Sequence, residues 1–168
     1  PEDPYSTSKA CSDLIAQSYH KTYGLNINVI RCANIYGPRD MNSSRLIPNT
    51  IRKILDNKKP QVYSGVLGFK REFLFIDDVC DAYMILAKKG VPGEIYNIGD
   101  VEFYTIKDVV EISSKLMDFD DGFDIIEKDF IEIPFQYMSA EKLKGLGWRK
   151  KHTFTEGLEK TIKWYKNE

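Results

Sequence analysis

Cysteine and histidine are scarce in this chain: three cysteines and two histidines stand among 168 residues. Cys11, Cys32 and Cys80 form no Cys-x-x-Cys pair and are odd in number, which argues against a structural zinc site and against a disulfide framework. His20 and His152 lie far apart and lack a metal-ligand spacing, so no metal site is expected. An excess of charge of one sign is also lacking. The 24 Lys and Arg residues against 25 Asp and Glu leave a net charge of −1. Such a balance gives no general affinity for nucleic acid or for an anionic membrane, and neither is an expected partner. No apolar run approaches the ~20 residues that span a bilayer, and no signal-peptide pattern opens the chain. A cytoplasmic location is the default expectation. An initiating methionine is missing as well. The chain opens at Pro1-Glu2-Asp3-Pro4 with its best chemistry directly behind, so a scaffold is expected before residue 1 and the chain reads as a fragment.

That chemistry is the pair Tyr5 and Lys9, four residues apart in Pro4-Tyr5-Ser6-Thr7-Ser8-Lys9. On a helix this spacing puts both side chains on one face. Helix is the expected local state: Asp3 can cap, Pro4 suits the first position, and Ala10, Leu14 and Ile15 follow as an apolar series. In a low-dielectric pocket the Lys9 ammonium would favour the phenolate of Tyr5. A tyrosine so placed can move a proton on and off a sugar or alcohol hydroxyl. Taken alone, the pair also reads as two surface residues of an N-terminal helix.

The helix is predicted to run from Tyr5 to a stop at Gly24. Residues 25–33 read as a strand, with β-branched Ile27, Val29 and Ile30. Helix, tight turn and strand make half of a β-α-β unit, which predicts a parallel sheet. Residues 34–40 are read as the loop at that strand's carboxyl end, where open α/β sheets bind ligands. Asn34 and Arg39 there suit a polar ligand, and an ordinary loop is the alternative. Helices are predicted at 45–56, after a cap at Asp77 or Asp78, at 105–117 with Thr105 and Asp108 as a capping box, after a cap at Ser139, and at 155–165. Short strands are predicted at 61–64, 73–76, 94–98 and 123–127. The acidic stretch 118–122 reads as a solvated connection, since calcium loops need a more regular spacing.

Five segments in order resemble the extended short-chain dehydrogenase/reductases, and among them the NAD-dependent nucleotide-sugar epimerase/dehydratase family. They are Pro4-Tyr5-Ser6-Thr7-Ser8-Lys9-Ala10, Arg31-Cys32-Ala33-Asn34-Ile35-Tyr36-Gly37-Pro38, Arg71-Glu72-Phe73-Leu74-Phe75-Ile76-Asp77-Asp78-Val79, Tyr96-Asn97-Ile98-Gly99, and Leu146-Gly147-Trp148 with Gly157-Leu158 through Trp164-Tyr165. The resemblance implies an α/β fold: the C-terminal part of a Rossmann-like parallel sheet plus a smaller α/β substrate-binding domain. Residues 1–40 would end the NAD-binding domain and 41–168 would be mainly the substrate domain, with 94–117 returning to the Rossmann sheet. It implies NAD as cofactor and a nucleotide-diphosphate sugar as substrate. Tyr5 would be the general acid/base, with Lys9 tuning it and binding the nicotinamide ribose. Asn34 would bind the diphosphate, Arg71 would contact that diphosphate or its ribose, and residues 43–48 and 61–63 would line the base pocket. The Tyr5 helix would pair with its copy in a homodimer.

The family's Gly-x-x-Gly-x-x-Gly loop is absent from the chain, as are the acidic residue for the adenosine ribose and the Ser/Thr of the catalytic set; all are expected upstream. Alone, the chain is therefore expected to be inactive and to self-associate. Glu72 replaces the commoner aspartate, and the segment 131–137 lacks the arginine that many relatives carry. Sugar-nucleotide 4,6-dehydratases are the subtype most resembled, with epimerisation equally open. Two alternatives stand beside this reading: a non-catalytic binding protein on the same scaffold, and an extended reductase for a non-nucleotide alcohol.

Overall fold

The computed structural model describes residues 3–99, 102–128 and 133–168. Pro1 and Glu2, and Ile131 and Glu132 of the arginine-lacking segment, lie outside the described residues. Local chemistry explains the first helix. Asp3 accepts a bond from the Ser6 N–H at 2.9 Å, Pro4 sits in the first turn, and α1 runs Pro4–Tyr23. Gly24 then adopts the left-handed conformation, with φ of 65°, and its N–H donates to the His20 carbonyl at 2.8 Å. Glycine takes that conformation without a Cβ penalty.

The elements that follow are β1 (Val29–Cys32), β2 (Asn34–Tyr36), α2 (Leu46–Leu55), β3 (Gln61–Tyr63), β4 (Lys70–Arg71), β5 (Phe73–Phe75), α3 (Ile76–Lys89), β6 (Ile95–Ile98), β7 (Tyr104–Thr105), α4 (Ile106–Leu116), β8 (Asp124–Ile126), α5 (Glu141–Gly145) and α6 (Phe154–Lys166). Three ladders are parallel: β1 with β6, β2 with β5, and β3 with β8; β4 and β7 pair antiparallel. The α/β class with parallel pairing expected from the helix–turn–strand order is what the chain forms.

Several local expectations need correction. Residues 34–36 are not loop but strand β2, in register with Phe73–Phe75. The polar amide at its start and the Gly-Pro turn behind it mask a run whose order comes from a partner 39 positions on. β1 is shorter than expected because only Val29–Cys32 find ladder partners on β6. The N-cap of α3 is Phe75, so Asp77 and Asp78 lie inside the first turn, where a negative charge complements the helix dipole. Ala140, not Ser139, is the N-cap of α5. Thr105 and Asp108 do form the expected capping box. A second box, Thr153 with Glu156, starts α6 one residue earlier than its apolar pattern indicates.

Strand β5 divides two apolar cores. Phe73 and Phe75 face Tyr36, Ile51, Phe154 and Leu158 on one side. Leu74 faces Tyr96, Ile98 and Trp148 on the other. The strand's period of two forces this split. Gly157 marks the tightest approach: a Cβ there would lie 2.3 Å from the Tyr36 hydroxyl and 2.8 Å from the Phe75 ring. Gly157→Ala should therefore destabilise the protein by about 1–3 kcal/mol through overpacking, outweighing the ~1 kcal/mol that alanine contributes to a helix interior. Urea denaturation checks this; a stabilised variant would show that α6 can shift away at no cost.

Candidate active site

Residues 29–36 run through a change of partner. The Ala33 N–H donates to Ile98 of β6, at 3.0 Å, and the next N–H, Asn34, to Glu72, at 3.2 Å. One extended run thus leaves β6 and joins β5 at Asn34. The crevice beyond the carboxyl ends of parallel strands, where neighbours diverge, is where open α/β sheets bind ligands.

Asn34 is exposed there, and its side-chain amide donates to the Glu72 carbonyl at 3.1 Å. Arg71 lies on β4, two residues before Phe73, the register partner of Asn34. Its guanidinium donates to the Lys70 carbonyl at 3.0 Å and lies over the Phe69 ring, 5.7 Å from the centroid. Only 7% of Arg71 is exposed. A planar guanidinium and a side-chain amide are donor types suited to phosphate oxygens.

Helix α1 runs back along β1. Asp13 holds Arg31 of β1 at 2.7 Å and also accepts from Gln17. The hydrogen bond from Arg31 is the chief cause that keeps the Asp13 carboxyl below the usual carboxylate range. His20, near the C-terminus of α1, bonds the Leu25 carbonyl at 2.7 Å. The helix and the strand are therefore antiparallel. From Asp13 back to Tyr5 is eight residues of helix, about 12 Å; from Arg31 on to Asn34 is three residues of strand, about 10 Å. Tyr5 and Asn34 thus stand at the same end of the sheet. The Lys9 ammonium lies 5.5 Å from the centre of the Tyr5 ring. Both side chains are exposed, Tyr5 to 71%. They present a phenol and an ammonium on one helix face; no dinucleotide turn is contributed by this sequence.

Tyr36, two residues beyond Asn34, is a different kind of tyrosine. It is buried, and its hydroxyl donates to the Phe154 carbonyl at 2.8 Å. Burial raises its proton affinity, and Tyr104 adds to that. It is a structural donor, not an acid/base. Glu72, which the sequence presents as a minor replacement, is 2% exposed and accepts from the Met138 N–H at 2.7 Å. Only its departure from aspartate could have drawn notice. Among the described residues no group of three or more His, Cys, Asp or Glu could hold a metal ion, and no helix is long and apolar enough to cross a membrane.

Fold and site together define an α/β protein with parallel strand pairs whose tyrosine–lysine helix stands beside the strand ends. A family model described as "NAD dependent epimerase/dehydratase family" matches residues 1–99. The chain belongs to that family. It is similar to the dTDP-glucose 4,6-dehydratase of Streptomyces antibioticus, 35% identical over 172 residues that cover 99% of this chain and 50% of the relative. It is also similar to the crystal structure of dTDP-glucose 4,6-dehydratase from Bacillus anthracis in complex with NAD: TM-score 0.90, 38% identity, 99% of this chain and 53% of the other. A UDP-N-acetylglucosamine 4-epimerase from Methanobrevibacter ruminantium superposes with a TM-score of 0.90 at 27% identity, over 99% of this chain and 55% of the other. The chain spans about half the length of these relatives.

Proposed function

We propose that the full-length protein carrying this chain is an NAD-dependent enzyme acting on a nucleotide-diphosphate sugar, as a 4,6-dehydratase. The observation that carries this is the placement of Tyr5 and Lys9 at the same sheet end as Asn34 and Arg71. Proton-transfer chemistry and phosphate-suited donors would then meet at one end of the sheet. The likeness to dTDP-glucose 4,6-dehydratases over the whole chain favours the reaction type. Similarity to a 4-epimerase favours epimerisation as the second reading.

In this proposal Tyr5 takes and returns the proton of a sugar hydroxyl. Lys9 stabilises the phenolate that results and anchors the nicotinamide ribose. Asn34 and Arg71 bind the diphosphate. The chemistry that NAD supplies when bound is hydride exchange with the sugar carbon. Its pyrophosphate site, a glycine-rich turn before a helix, falls to a part of the protein outside this sequence, so the chain alone is proposed to be inactive. Residues 1–40 complete the NAD-binding domain; 41–168 form mainly the substrate domain, with 94–117 returning to the Rossmann sheet. A homodimer is proposed through α1, where Leu14, Ile15, Tyr19 and Tyr23 are exposed; the setting is cytoplasmic.

The test is to supply the full-length protein with NAD and dTDP-glucose or UDP-glucose and weigh the product. Loss of one water identifies a dehydratase, and an isomer of unchanged mass identifies an epimerase. No turnover of either, with NAD bound, would favour a non-catalytic binding protein on this scaffold.

A further inference from the structure

Glu72 is a carboxylate buried to 2% exposure between β4 and β5. Burying such a group is costly unless protein donors replace its water, so its position calls for an account of what it holds. Its main-chain carbonyl takes both the backbone N–H and the side-chain amide of Asn34, at 3.2 and 3.1 Å. Its side chain takes the Met138 N–H at 2.7 Å.

Met138 ends a segment, 133–138, laid along β4. The Lys70 N–H donates to the Pro134 carbonyl at 3.0 Å, the Gln136 N–H donates to the Lys70 carbonyl at 3.3 Å, and Lys70 bridges Phe135. On the other side of β4 lies β7, with Arg71 opposite Tyr104. Arg71 thus sits in a two-residue strand held from both flanks, and Glu72 pins the end of the outer one. The fit is close: a Cβ on Gly99 would lie 2.5 Å from the Met138 carbonyl and 3.1 Å from the Glu72 carboxylate.

We propose that Glu72 is a positioning residue for substrate: its carbonyl orients Asn34, while its carboxylate fastens the 133–138 segment that keeps Arg71 in place. The inference rests on the nucleotide-sugar reading above. Reach is what the contact with the Met138 N–H requires of the side chain. Aspartate is shorter by one carbon–carbon bond, about 1.5 Å, which takes a 2.7 Å contact beyond hydrogen-bond range. Glutamine keeps both the reach and an acceptor oxygen.

The experiment uses the full-length protein as wild type, Glu72→Gln, Glu72→Asp and Glu72→Ala. Calorimetry measures dTDP, UDP and NAD binding, steady-state kinetics separates KM from kcat, and hydrogen exchange follows the Met138 amide. The Ala and Asp variants should weaken nucleotide binding about tenfold, the loss of one hydrogen bond to a charged group. KM should rise with it, kcat should stay within about threefold, and Met138 exchange should quicken about tenfold. Glu72→Gln should keep Met138 exchange within about twofold of wild type, and NAD binding should not move in any variant. A parallel loss of NAD and dTDP binding would mean that Glu72 supports the fold in general, overturning the inference. So would faster Met138 exchange with nucleotide binding intact. A wild type that binds neither dTDP nor UDP would overturn the functional reading and this inference with it, whereas wild-type binding with an unaffected Glu72→Ala overturns the inference alone.

Discussion

Tyr5→Phe in the full-length protein should lower turnover by roughly 10²–10⁴-fold, the usual contribution of one positioned acid/base. That is about 3–5 kcal/mol of barrier. Stability should hardly change. The substitution removes one hydroxyl and keeps the aromatic ring, and within this chain Tyr5 is 71% exposed. Nucleotide binding should also persist, because Asn34 and Arg71, the proposed diphosphate contacts, lie on β2 and β4 and are untouched by the change. The informative result is thus a fall in kcat with substrate affinity and melting temperature near those of the wild type. Turnover within a few-fold of wild type would reject Tyr5 as the proton-transfer group. A large loss of melting temperature would instead mean that the phenol hydroxyl is a structural contact in the full-length protein, as that of Tyr36 is here.

The contrast between those two tyrosines shows what is legible in the sequence. Tyr5 is readable because its neighbours act locally: Asp3, Pro4 and Lys9 lie within one or two helical turns, and each has a known geometric consequence. Tyr36 belongs to an equally recognisable segment, yet its function is fixed by Phe154, 118 residues away. Strand β2 was hidden for the same reason. Asn34-Ile35-Tyr36 carries no alternation long enough to register, and its order is supplied by β5. Glu72 is the extreme case. Nothing near it in sequence reports that its carboxylate reaches Met138, 66 residues on. Strands with a local β pattern, such as β3, β5, β6 and β8, are visible in the sequence; β2, β4 and β7, whose order comes from distant partners, are not, and family resemblance gives positions but not contacts.

Asp78→Ala is the substitution expected to cost the most stability, about 3–5 kcal/mol, the range for removing one partner of a buried charged cluster. Asp78 is fully buried in the first turn of α3. One carboxylate oxygen accepts from the Lys151 N–H at 3.0 Å and from His152 Nδ1 at 3.1 Å; the other accepts from the His152 N–H at 3.2 Å. Its main-chain carbonyl accepts from the Trp148 indole at 2.9 Å. His152 Nε2 meets the Lys160 ammonium at 2.8 Å. Since an ammonium only donates, Nε2 must be the acceptor and the ring proton sits on Nδ1, aimed at Asp78. Alanine would leave three donors facing a void, and each unsatisfied donor adds its own penalty. Asparagine keeps an acceptor but turns an NH₂ group towards some of those donors, so Asp78→Asn should cost less, about 1–3 kcal/mol. The effect should also reach the site. The Lys151–Thr153 link leads into Phe154, whose carbonyl holds the Tyr36 hydroxyl, and Tyr36 ends the strand that begins at Asn34. Loosening it should weaken nucleotide-sugar binding at temperatures below the unfolding transition. Urea denaturation of the full-length protein, with dTDP binding measured alongside, gives both readouts. An Ala variant within about 1 kcal/mol of wild type would show that water satisfies the Lys151 and His152 donors as well as the carboxylate does, and that α6 does not depend on this clasp.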